Sequence, residues 1–93
     1  MWYLYILECN DGSYYTGITK DIPGRIERHN TGKGAKYTRS HRPVKLVYFE
    51  EYEIESEVRK REIELKSWRR EKKERLIREF PSTSLEDILR LSG

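Results

Sequence analysis

Apolar and polar positions at the start of the chain predict a β-hairpin. Residues Trp2 to Cys9 are rich in β-branched and aromatic side chains, which is typical of a strand, and Tyr14 to Thr19 has the same character. The turn sequence Asn10-Asp11-Gly12-Ser13 separates the two segments. A third strand is predicted from Val44 to Glu51, directly after Pro43.

The register of this hairpin decides whether Tyr5 and Tyr15 lie on the same face of the sheet. A two-residue turn centred on Asp11 and Gly12 pairs positions whose numbers sum to 23, which puts the two tyrosines on opposite faces. A three-residue loop with Gly12 in the left-handed conformation is expected to pair positions that sum to 24, and the tyrosines then share a face. We predict the second register, because a site that uses both hydroxyl groups needs them together.

The segment after the hairpin has the start and stop signals of a helix. Asp21 suits the N-cap, Pro23 suits the first turn and Gly32 suits the end. Ile22 and Ile26, four positions apart, mark the side that is expected to be buried.

Apolar spacing also predicts a helix from Glu55 to about Ser67. Ile54, Val58 and Leu65 recur at spacings of four and seven and mark its inward side. Glu62 falls at the edge of this apolar stripe. A carboxylate at the margin of a core is costly unless it is paired or bound to a cation, so we expect one of these at Glu62.

Two more helices are predicted to complete the chain. The first, from about Arg70 to Glu79, places Leu76, Ile77 and Phe80 inward. The sequence Ser84-Leu85-Glu86-Asp87 has the form of a capping box, which predicts a short last helix at about residues 84–91. A chain of this length that alternates strands and helices in this way predicts a single α+β domain over residues 1–93.

Composition favours a folded domain with a polyanionic partner. Charged residues make up 38% of the chain and the mean hydropathy is −0.93, but seven Tyr and two Trp argue against disorder. The net charge is +3, with eight basic against two acidic residues in segment 20–45 and seven against two in segment 66–78. Two basic segments suit a nucleic acid, and the alternative is an ordinary solvated surface.

The N-terminal region gives no indication of export or membrane insertion. Glu8 and Asp11 interrupt the first apolar run, and no apolar stretch approaches the length of a membrane span. Cys9 is the single cysteine, so no internal disulfide or thiolate metal cluster can form, and we expect a small buried strand residue. We therefore expect a cytoplasmic protein without membrane contact.

Several side chains have the chemistry that cleavage of a phosphodiester requires. A water must be deprotonated or oriented, charge on the equatorial oxygens must be neutralised, and the leaving oxygen must be stabilised. Tyr5 or Tyr15 suits the first task if a neighbouring cation acidifies its phenol. Arg25, which shares a helix face with His29, suits the second task. Glu62 could hold one Mg²⁺ for the third, since a hard cation needs little more than one carboxylate besides phosphate and water.

These residues occur in an order that resembles the GIY-YIG nuclease superfamily. The resemblance rests on Tyr3-Leu4-Tyr5, on Tyr15-Thr16-Gly17, on Arg25 with His29, and on Glu62. It covers about residues 2–77, whose wider pattern is most similar to small stand-alone bacterial proteins with an uncharacterised GIY-YIG domain. The family fold implies a small three-stranded antiparallel sheet flanked by three to four helices.

The resemblance implies a catalytic role for four residues and a metal site at a fifth. Tyr5 would act as the general base or position the nucleophilic water, and Tyr15 would orient water and phosphate. Arg25 would bind the scissile phosphate, and His29 would tune a tyrosine or assist the proton transfer. Glu62 would be the sole protein ligand of one divalent ion, Mg²⁺ or Mn²⁺.

A glycine-rich basic loop follows the first helix and is expected to bind the substrate. Flexible basic loops commonly contact phosphates, and we assign this role to Lys33, Lys36, Tyr37, Arg39 and Arg42. Tyr37 could instead stack on a splayed base. The later basic segment, 66–78, is interpreted as an exposed helix face with some affinity for nucleic acid.

Each candidate also has an ordinary structural interpretation. The two tyrosines could be packing residues of the sheet, Arg25 a solvated helix residue, and His29 a residue at a helix end. Glu62 could form an ion pair with Arg59 or Lys66 on its own helix. Because all the candidates occur together in this order and at these spacings, we favour the catalytic interpretation.

The sequence therefore predicts a divalent-metal-dependent endonuclease that hydrolyses DNA and works as a monomer. The sequence departs from the family pattern at two points: Tyr3 stands where the first motif has Gly, which is a tolerated variation in similar sequences, and no Asn follows Glu62 as it does in many family members. We expect no second DNA-binding domain, so a protein partner could supply specificity, and this expectation and the missing Asn motivate other functions. The alternatives are a non-catalytic nucleic-acid-binding module and a protein-interaction subunit that uses the acidic stretch Glu50 to Glu57.

Overall fold

The chain folds as a three-stranded sheet with helices on both faces, in a computed structural model that describes residues 1–90. The elements in chain order are β1 (Trp2–Glu8), β2 (Tyr14–Thr19), α1 (Ile22–Asn30), α2 (Lys36–Arg39), β3 (Lys45–Tyr52), α3 (Glu55–Lys66), α4 (Arg70–Arg78) and α5 (Ser82–Arg90). The strands are antiparallel in the order β2-β1-β3, which confirms the predicted α+β fold. The described residues form five helices rather than three to four, because the short α2 replaces part of the predicted loop. No helix within residues 1–90 is long and apolar enough to cross a membrane.

The hairpin between β1 and β2 closes with a three-residue loop, as predicted. The Cys9 amide donates to the Ser13 carbonyl at 2.8 Å, which leaves residues 10–12 in the loop. Gly12 has a φ of 85°, in the left-handed region that glycine adopts without a steric penalty. Cys9 is buried, one residue beyond the end of β1.

The predicted register of the hairpin is wrong, but the prediction that Tyr5 and Tyr15 share a face of the sheet is right. Tyr5 pairs with Gly17, so the paired positions sum to 22 rather than 24. A loop over residues 10–12 necessarily closes a pair between residues 9 and 13, which fixes this sum. Because 22 is even, Tyr15 still lies on the same face of the sheet as Tyr5.

Each face of the sheet has its own apolar core. We call the face that is covered by α1 and α5 the front, and the face that is covered by α3 and α4 the back. The buried front core consists of Tyr5, Leu7, Cys9, Ile22, Val44, Leu46, Phe49 and Ile88. The buried back core consists of Leu4, Ile6, Tyr48, Val58 and Leu65. Successive side chains of β1 alternate between the two cores, so both candidate tyrosines belong to the front.

The predicted limits of α1 are confirmed by its capping groups. The Asp21 side chain accepts a hydrogen bond from the Gly24 amide at 3.2 Å, and Pro23 lies in the first turn. Gly32, just beyond the helix, has a φ of 83°. Ile22 is buried, as predicted, and these signals together fix which side of α1 faces the sheet.

The helices on the back of the sheet agree with the predicted pattern except at one position. Val58 and Leu65 of α3 are fully buried. Ile54 is 53% exposed, because it precedes the helix in an extended conformation, so its predicted inward position is wrong. The predicted inward residues around α4 are partly buried against the back core: Leu76, Ile77 and Phe80.

The last helix begins two residues earlier than predicted. α5 starts at Ser82, so Ser84 lies inside its first turn and is not the N-cap. The Ser84 amide donates to the Pro81 carbonyl at 3.2 Å, which shows that Pro81 already begins the helical turn. The predicted capping box is therefore wrong, and Leu91, the predicted last residue, lies outside the described part of the chain.

Candidate active site

The Tyr5 side chain crosses from the central strand to the open edge of the sheet. Its partner on the edge strand β2 is Gly17, which has no side chain. A Cβ atom at Gly17 would lie 2.6 Å from the Tyr5 hydroxyl oxygen and 3.1 Å from Cε2 of Tyr15. Both rings therefore lie against the backbone of this glycine, and any side chain at that position would displace them.

His29 lies in the last turn of α1 and contacts both tyrosines. It is fully buried, its Nε2 lies 3.0 Å from the Tyr5 hydroxyl oxygen, and its ring centroid lies 5.2 Å from that of Tyr15. Its Nδ1 lies 2.7 Å from Oγ1 of Thr38, whose hydroxyl donates to the Ala35 carbonyl at 3.0 Å. Since that hydroxyl has one proton, Nδ1 must be the donor to it. Nε2 of the neutral ring is then the acceptor, and Tyr5 donates its proton toward His29.

Two residues that hold His29 in place were not predicted. Thr38 fixes the tautomer, and it is fully buried in the short helix α2. Gly34 lies against the same edge of the ring, where a Cβ atom would be 2.4 Å from Nδ1 of His29. The repeated glycines near the end of α1 were the signal that could have indicated such a close backbone approach. The sequence offered no comparable signal for Thr38.

The charges of Arg25 and Glu62 both act on the Tyr5 hydroxyl. Burial raises the pKa of Tyr5 well above its ordinary value, the neighbouring Tyr15 adds to this, Arg25 opposes it and Glu62 supports it. Burial also lowers the pKa of His29, with smaller contributions in the same direction from Arg25 and Arg28. The structure thus brings Tyr15 and His29 into contact with Tyr5, and the charges of Arg25 and Glu62 influence the same hydroxyl group, although α3, which carries Glu62, packs on the opposite face of the sheet.

The structure corrects one expectation about the phenol. A neighbouring cation was expected to acidify it, and Arg25 does favour the phenolate, but the burial of Tyr5 outweighs this influence. The Tyr5 hydroxyl therefore keeps its proton at neutral pH and donates it to a buried neutral imidazole. Proton transfer at this site has to involve the tyrosine and the histidine together.

Glu62 approaches the site from α3 and is already paired. Its side chain is 19% exposed, and its Oε2 lies 3.2 Å from Nζ of Lys66, one helical turn away. The ion pair with Lys66 that the sequence allowed is therefore present, whereas Arg59 pairs with Glu55 at 2.7 Å instead. An ion pair of this spacing near the surface contributes about 0.3–0.5 kcal/mol, so a stronger cation can replace the ammonium group.

The donor set around Glu62 suits only some metal ions. Within residues 1–90, no group of three or more His, Cys, Asp or Glu side chains is arranged to hold a metal. A single carboxylate fits Mg²⁺ or Mn²⁺, which keep several waters and take further ligands from a substrate phosphate. It does not fit zinc, which needs at least three protein ligands.

A partly buried ion pair next to Glu62 fixes α3 against the sheet. Arg61 donates to both oxygens of Glu50, with its Nε 2.9 Å from Oε1 and its Nη2 2.9 Å from Oε2. Tyr52 donates to the same carboxylate at 2.7 Å, and Tyr48 donates to it as well. Burial alone would raise the pKa of Glu50, but these hydrogen bonds, led by that from Arg61, hold it below its ordinary value.

This role of Glu50 was not predicted. The sequence placed Glu50 at the start of a possible acidic partner surface, but the side chain is only 16% exposed and its carboxylate is already fully engaged. Because Glu62 directly follows Arg61 in α3, this ion pair also fixes the position of the helix segment that carries Glu62. An acidic residue between two strand tyrosines was the signal that could have indicated it.

The basic loop lies beside the site, because Gly34 and Thr38 hold it against His29. Lys33, Lys36 and Arg39 are exposed, as their predicted role requires. The hydroxyl of Tyr37 donates to Oγ of Ser13 at 2.7 Å, and its ring stacks on the His41 ring with centroids 4.3 Å apart. One face of Tyr37 is thus occupied, and the residue connects the loop to the β1–β2 hairpin.

Arg42 has a structural role in addition to its predicted one. Its Nε donates to the Arg39 carbonyl at 3.1 Å, and its Nη1 donates to the Asn30 carbonyl at the end of α1 at 3.3 Å. These bonds hold the end of the loop to α1 while the side chain stays exposed. Contact of these five loop residues with phosphates remains a prediction.

The burial of His29 predicts how stability depends on pH. The pKa of His29 in the folded protein lies below its ordinary value of 6.5, so below that pH the unfolded chain binds a proton that the folded chain does not. The free energy of unfolding therefore falls as the pH drops through this window, down to the lowered pKa. Urea denaturation at about pH 7.5 and about pH 5.5 measures the change. We expect His29→Gln to lose this dependence and His41→Gln to keep it; equal pH dependence in wild type and His29→Gln would contradict the argument.

The chain is similar to proteins of a known domain family over most of its length. A model of the GIY-YIG catalytic domain matches residues 1–75. A UPF0213 protein of Staphylococcus aureus strain Mu3 is 57% identical over 77 residues, which make up 83% of this chain and 94% of that protein. The UPF0213 protein of strain N315 of the same species gives the same values.

Two solved structures are also similar. The solution NMR structure of a UPF0213 protein from Bacillus halodurans is 49% identical, covers 83% of each chain and has a TM-score of 0.54. That of a protein from E. faecalis is 41% identical, with 82% of this chain and 81% of that chain covered, and has a TM-score of 0.57. The match over residues 1–75 and the high identity to these relatives show that the chain belongs to the GIY-YIG domain family.

Proposed function

We propose that the chain is an endonuclease that hydrolyses phosphodiester bonds of DNA with the help of one divalent ion. The observation that carries the proposal is the hydrogen bond from the Tyr5 hydroxyl to Nε2 of the buried His29, near the charges of Arg25 and Glu62. A phenol that can pass on its proton, a guanidinium group and a single carboxylate correspond to the three requirements of phosphodiester cleavage.

Tyr5 and His29 would move the proton together. The nucleophilic water gives a proton to the Tyr5 oxygen while Tyr5 gives its own proton to Nε2 of His29. The hydroxide forms a bond to phosphorus, the bond from phosphorus to the leaving oxygen breaks, and that oxygen takes a proton from solvent while His29 returns its extra proton to solvent. A free phenolate, which the raised pKa of Tyr5 disfavours, never accumulates on this route. Nδ1 keeps its proton throughout because Thr38 accepts it.

Arg25 and Tyr15 would hold the phosphate. A guanidinium group donates hydrogen bonds in a planar fork that matches two phosphate oxygens, so Arg25 can neutralise charge that develops in the transition state. Tyr15, whose ring lies 6.4 Å from the Tyr5 ring between centroids, would orient the phosphate and the water. The exposed cations of the basic loop, Lys33, Lys36, Arg39 and Arg42, would contact neighbouring phosphates of the strand.

Glu62 would hold the divalent ion at the edge of the sheet. A Mg²⁺ or Mn²⁺ ion bound there would supply positive charge for the leaving oxygen. Lys66, which pairs with the carboxylate at 3.2 Å, would orient it until the divalent ion takes the place of the ammonium group. The ion pair between Arg61 and Glu50 holds α3, the helix that carries Glu62.

The proposal predicts cleavage that depends on Glu62. We expect the wild type to cut plasmid or oligonucleotide DNA in Mg²⁺ or Mn²⁺, and Glu62→Gln to lose about 100-fold of this activity, since it weakens the metal site. Glu57→Gln, an exposed residue of the same helix, is the matched control. Mn²⁺ should also broaden amide signals around residue 62 in the wild type and not in the variant. Cleavage by Glu62→Gln at the wild-type rate would show that the activity is a contaminant.

A nucleic-acid-binding module without turnover is the second candidate. It is favoured by the ion pair that already neutralises Glu62 and by the absence of an Asn after that residue. Under this alternative, binding weakens steeply with salt and no duplex, flap, junction or single strand is cut in Mg²⁺ or Mn²⁺.

A further inference from the structure

A row of four exposed cations runs along α4. Arg69, which is the N-cap, and Lys72, Arg75 and Arg78 follow one another at intervals of three residues, so they extend about 13 Å along the helix and shift by about 60° around its axis at each step. We call these four residues the α4 row. None of them is in an ion pair with any residue in 1–90, unlike Arg70, which pairs with Glu74 at 2.6 Å. The α4 row is thus unneutralised positive charge that the proposed active site does not use.

The packing of α4 leaves this charge on the outside. Leu76 and Ile77 lie against the back core, so the apolar side of the helix is already used. Lys73 is turned toward the protein, and Nζ of Lys72 lies 4.1 Å from the centroid of the Trp68 ring, which restrains it. A helix with its apolar side covered and its cations exposed is suited to a polyanion rather than to an apolar groove or the interior of a membrane.

The α4 row begins near the edge strand on which the proposed site lies. The guanidinium carbon of Arg70 lies 4.6 Å from the centroid of Tyr14, and the next residue, Tyr15, points into the site on the other face. Glu62 is also connected to α4, through Lys66. Lys66 pairs with Glu62 at 3.2 Å, and its charge helps to lower the pKa of Lys73 after the larger effect of burial.

We infer that the α4 row is a second contact surface for the DNA backbone, so that a duplex is held on both sides of the Tyr5 hydroxyl. One arm of the duplex lies along the basic loop beside His29, and the other lies along α4 beyond Glu62. The largest dimension of the domain, 32 Å, corresponds to about ten base pairs at about 3.4 Å each. The inference rests on the proposed function for the position of the cleaved bond between the arms, and it makes double-stranded DNA the substrate class.

The test measures binding apart from cleavage. Fluorescence anisotropy of a labelled duplex of about 20 base pairs, in EDTA and over a range of salt concentrations, gives an affinity and a salt slope for each protein. The test variant is Lys72→Gln with Arg75→Gln. The control is Lys60→Gln with Arg90→Gln, which removes the same charge from exposed positions of α3 and α5. We expect the test variant to bind about tenfold more weakly, with a salt slope reduced by about 1.8, and the control to bind like the wild type.

The outcomes separate this inference from the proposed function. If the test variant has the affinity and slope of the control, the α4 inference is wrong, whatever the cleavage assay with Glu62→Gln shows. If the test variant loses affinity while neither the wild type nor any variant cuts DNA, the α4 row is a contact surface for DNA but the proposed endonuclease activity is wrong. If the same substitutions abolish binding to anionic lipid vesicles and leave duplex binding unchanged, the row serves a membrane surface and the inference is overturned.

Discussion

Replacement of Arg25 by alanine is expected to lower the rate of DNA cleavage by about a thousandfold. Arg25 is the positive charge of α1 that acts on both the Tyr5 hydroxyl and His29, and under the proposed function it binds the phosphate beside this pair. A guanidinium group that neutralises charge in the transition state affects the rate more than the affinity for DNA. Single-turnover cleavage of a labelled duplex, at saturating protein, measures the chemical step directly.

Two further variants of α1 make the Arg25 prediction specific. Arg28→Ala removes a neighbouring exposed cation that also influences His29, and we expect nearly wild-type cleavage from it. Arg25→Lys keeps the charge but not the planar fork, so an intermediate rate is expected. Equal losses in Arg25→Ala and Arg28→Ala would mean that α1 contributes only general electrostatic attraction.

Replacement of Glu50 by alanine is expected to lower the free energy of unfolding by about 3 kcal/mol. The substitution leaves Arg61, which is 22% exposed, without its main partner and leaves the hydroxyl groups of Tyr48 and Tyr52 without their acceptor. Removal of one side of such a partly buried pair costs more than the pair itself contributes, because the remaining charge stays desolvated. Urea denaturation followed by tryptophan fluorescence gives the difference.

The neighbouring Glu51 provides the control for the substitution of Glu50. It is exposed, and Glu51→Ala is expected to change the stability by less than about 0.5 kcal/mol. Glu50→Ala should also weaken Mn²⁺ broadening around residue 62, because α3 is no longer held in its position. If Glu50→Ala and Glu51→Ala have the same stability, the hydrogen bonds around Glu50 do not hold α3 to the sheet.

Local signals in the sequence were sufficient for most of the fold. The strands followed from β-branched and aromatic runs, and the limits of α1 followed from Asp21, Pro23 and Gly32 because caps act within a few residues. The predicted sum of paired positions, 24, was wrong because the register depends on which residues form the loop. The tyrosines still share a face because that depends only on whether the sum is even. The predicted start of α5 was wrong because both Pro81 and Ser84 suit the start of a helix, and the sequence does not indicate which of them begins it.

The residues of the candidate site were predicted from residue types and their order. The residues that hold them in place were not predicted. Tyr5, Tyr15 and His29 do meet, but the pKa values of Tyr5 and His29 depend mainly on burial, which outweighs the effect of Arg25 on the phenol. Thr38 and Glu50 were missed because each acts through a side-chain contact between two different elements, which the periodicity within a helix or strand does not indicate. Contacts of that kind are decided by the packing of the whole domain, which local patterns do not contain.

The position of Gly17 on an edge strand also bears on self-association. β2 has one neighbouring strand, so the outer side of its backbone is where a strand from a second molecule would add to the sheet. Such an addition would place the side chains of the added strand next to Gly17, against which the Tyr5 hydroxyl lies. Under the proposed function, addition of a strand at this edge would therefore compete with entry of a substrate, and a form of the protein that is joined through β2 would cut DNA more slowly however well it is folded.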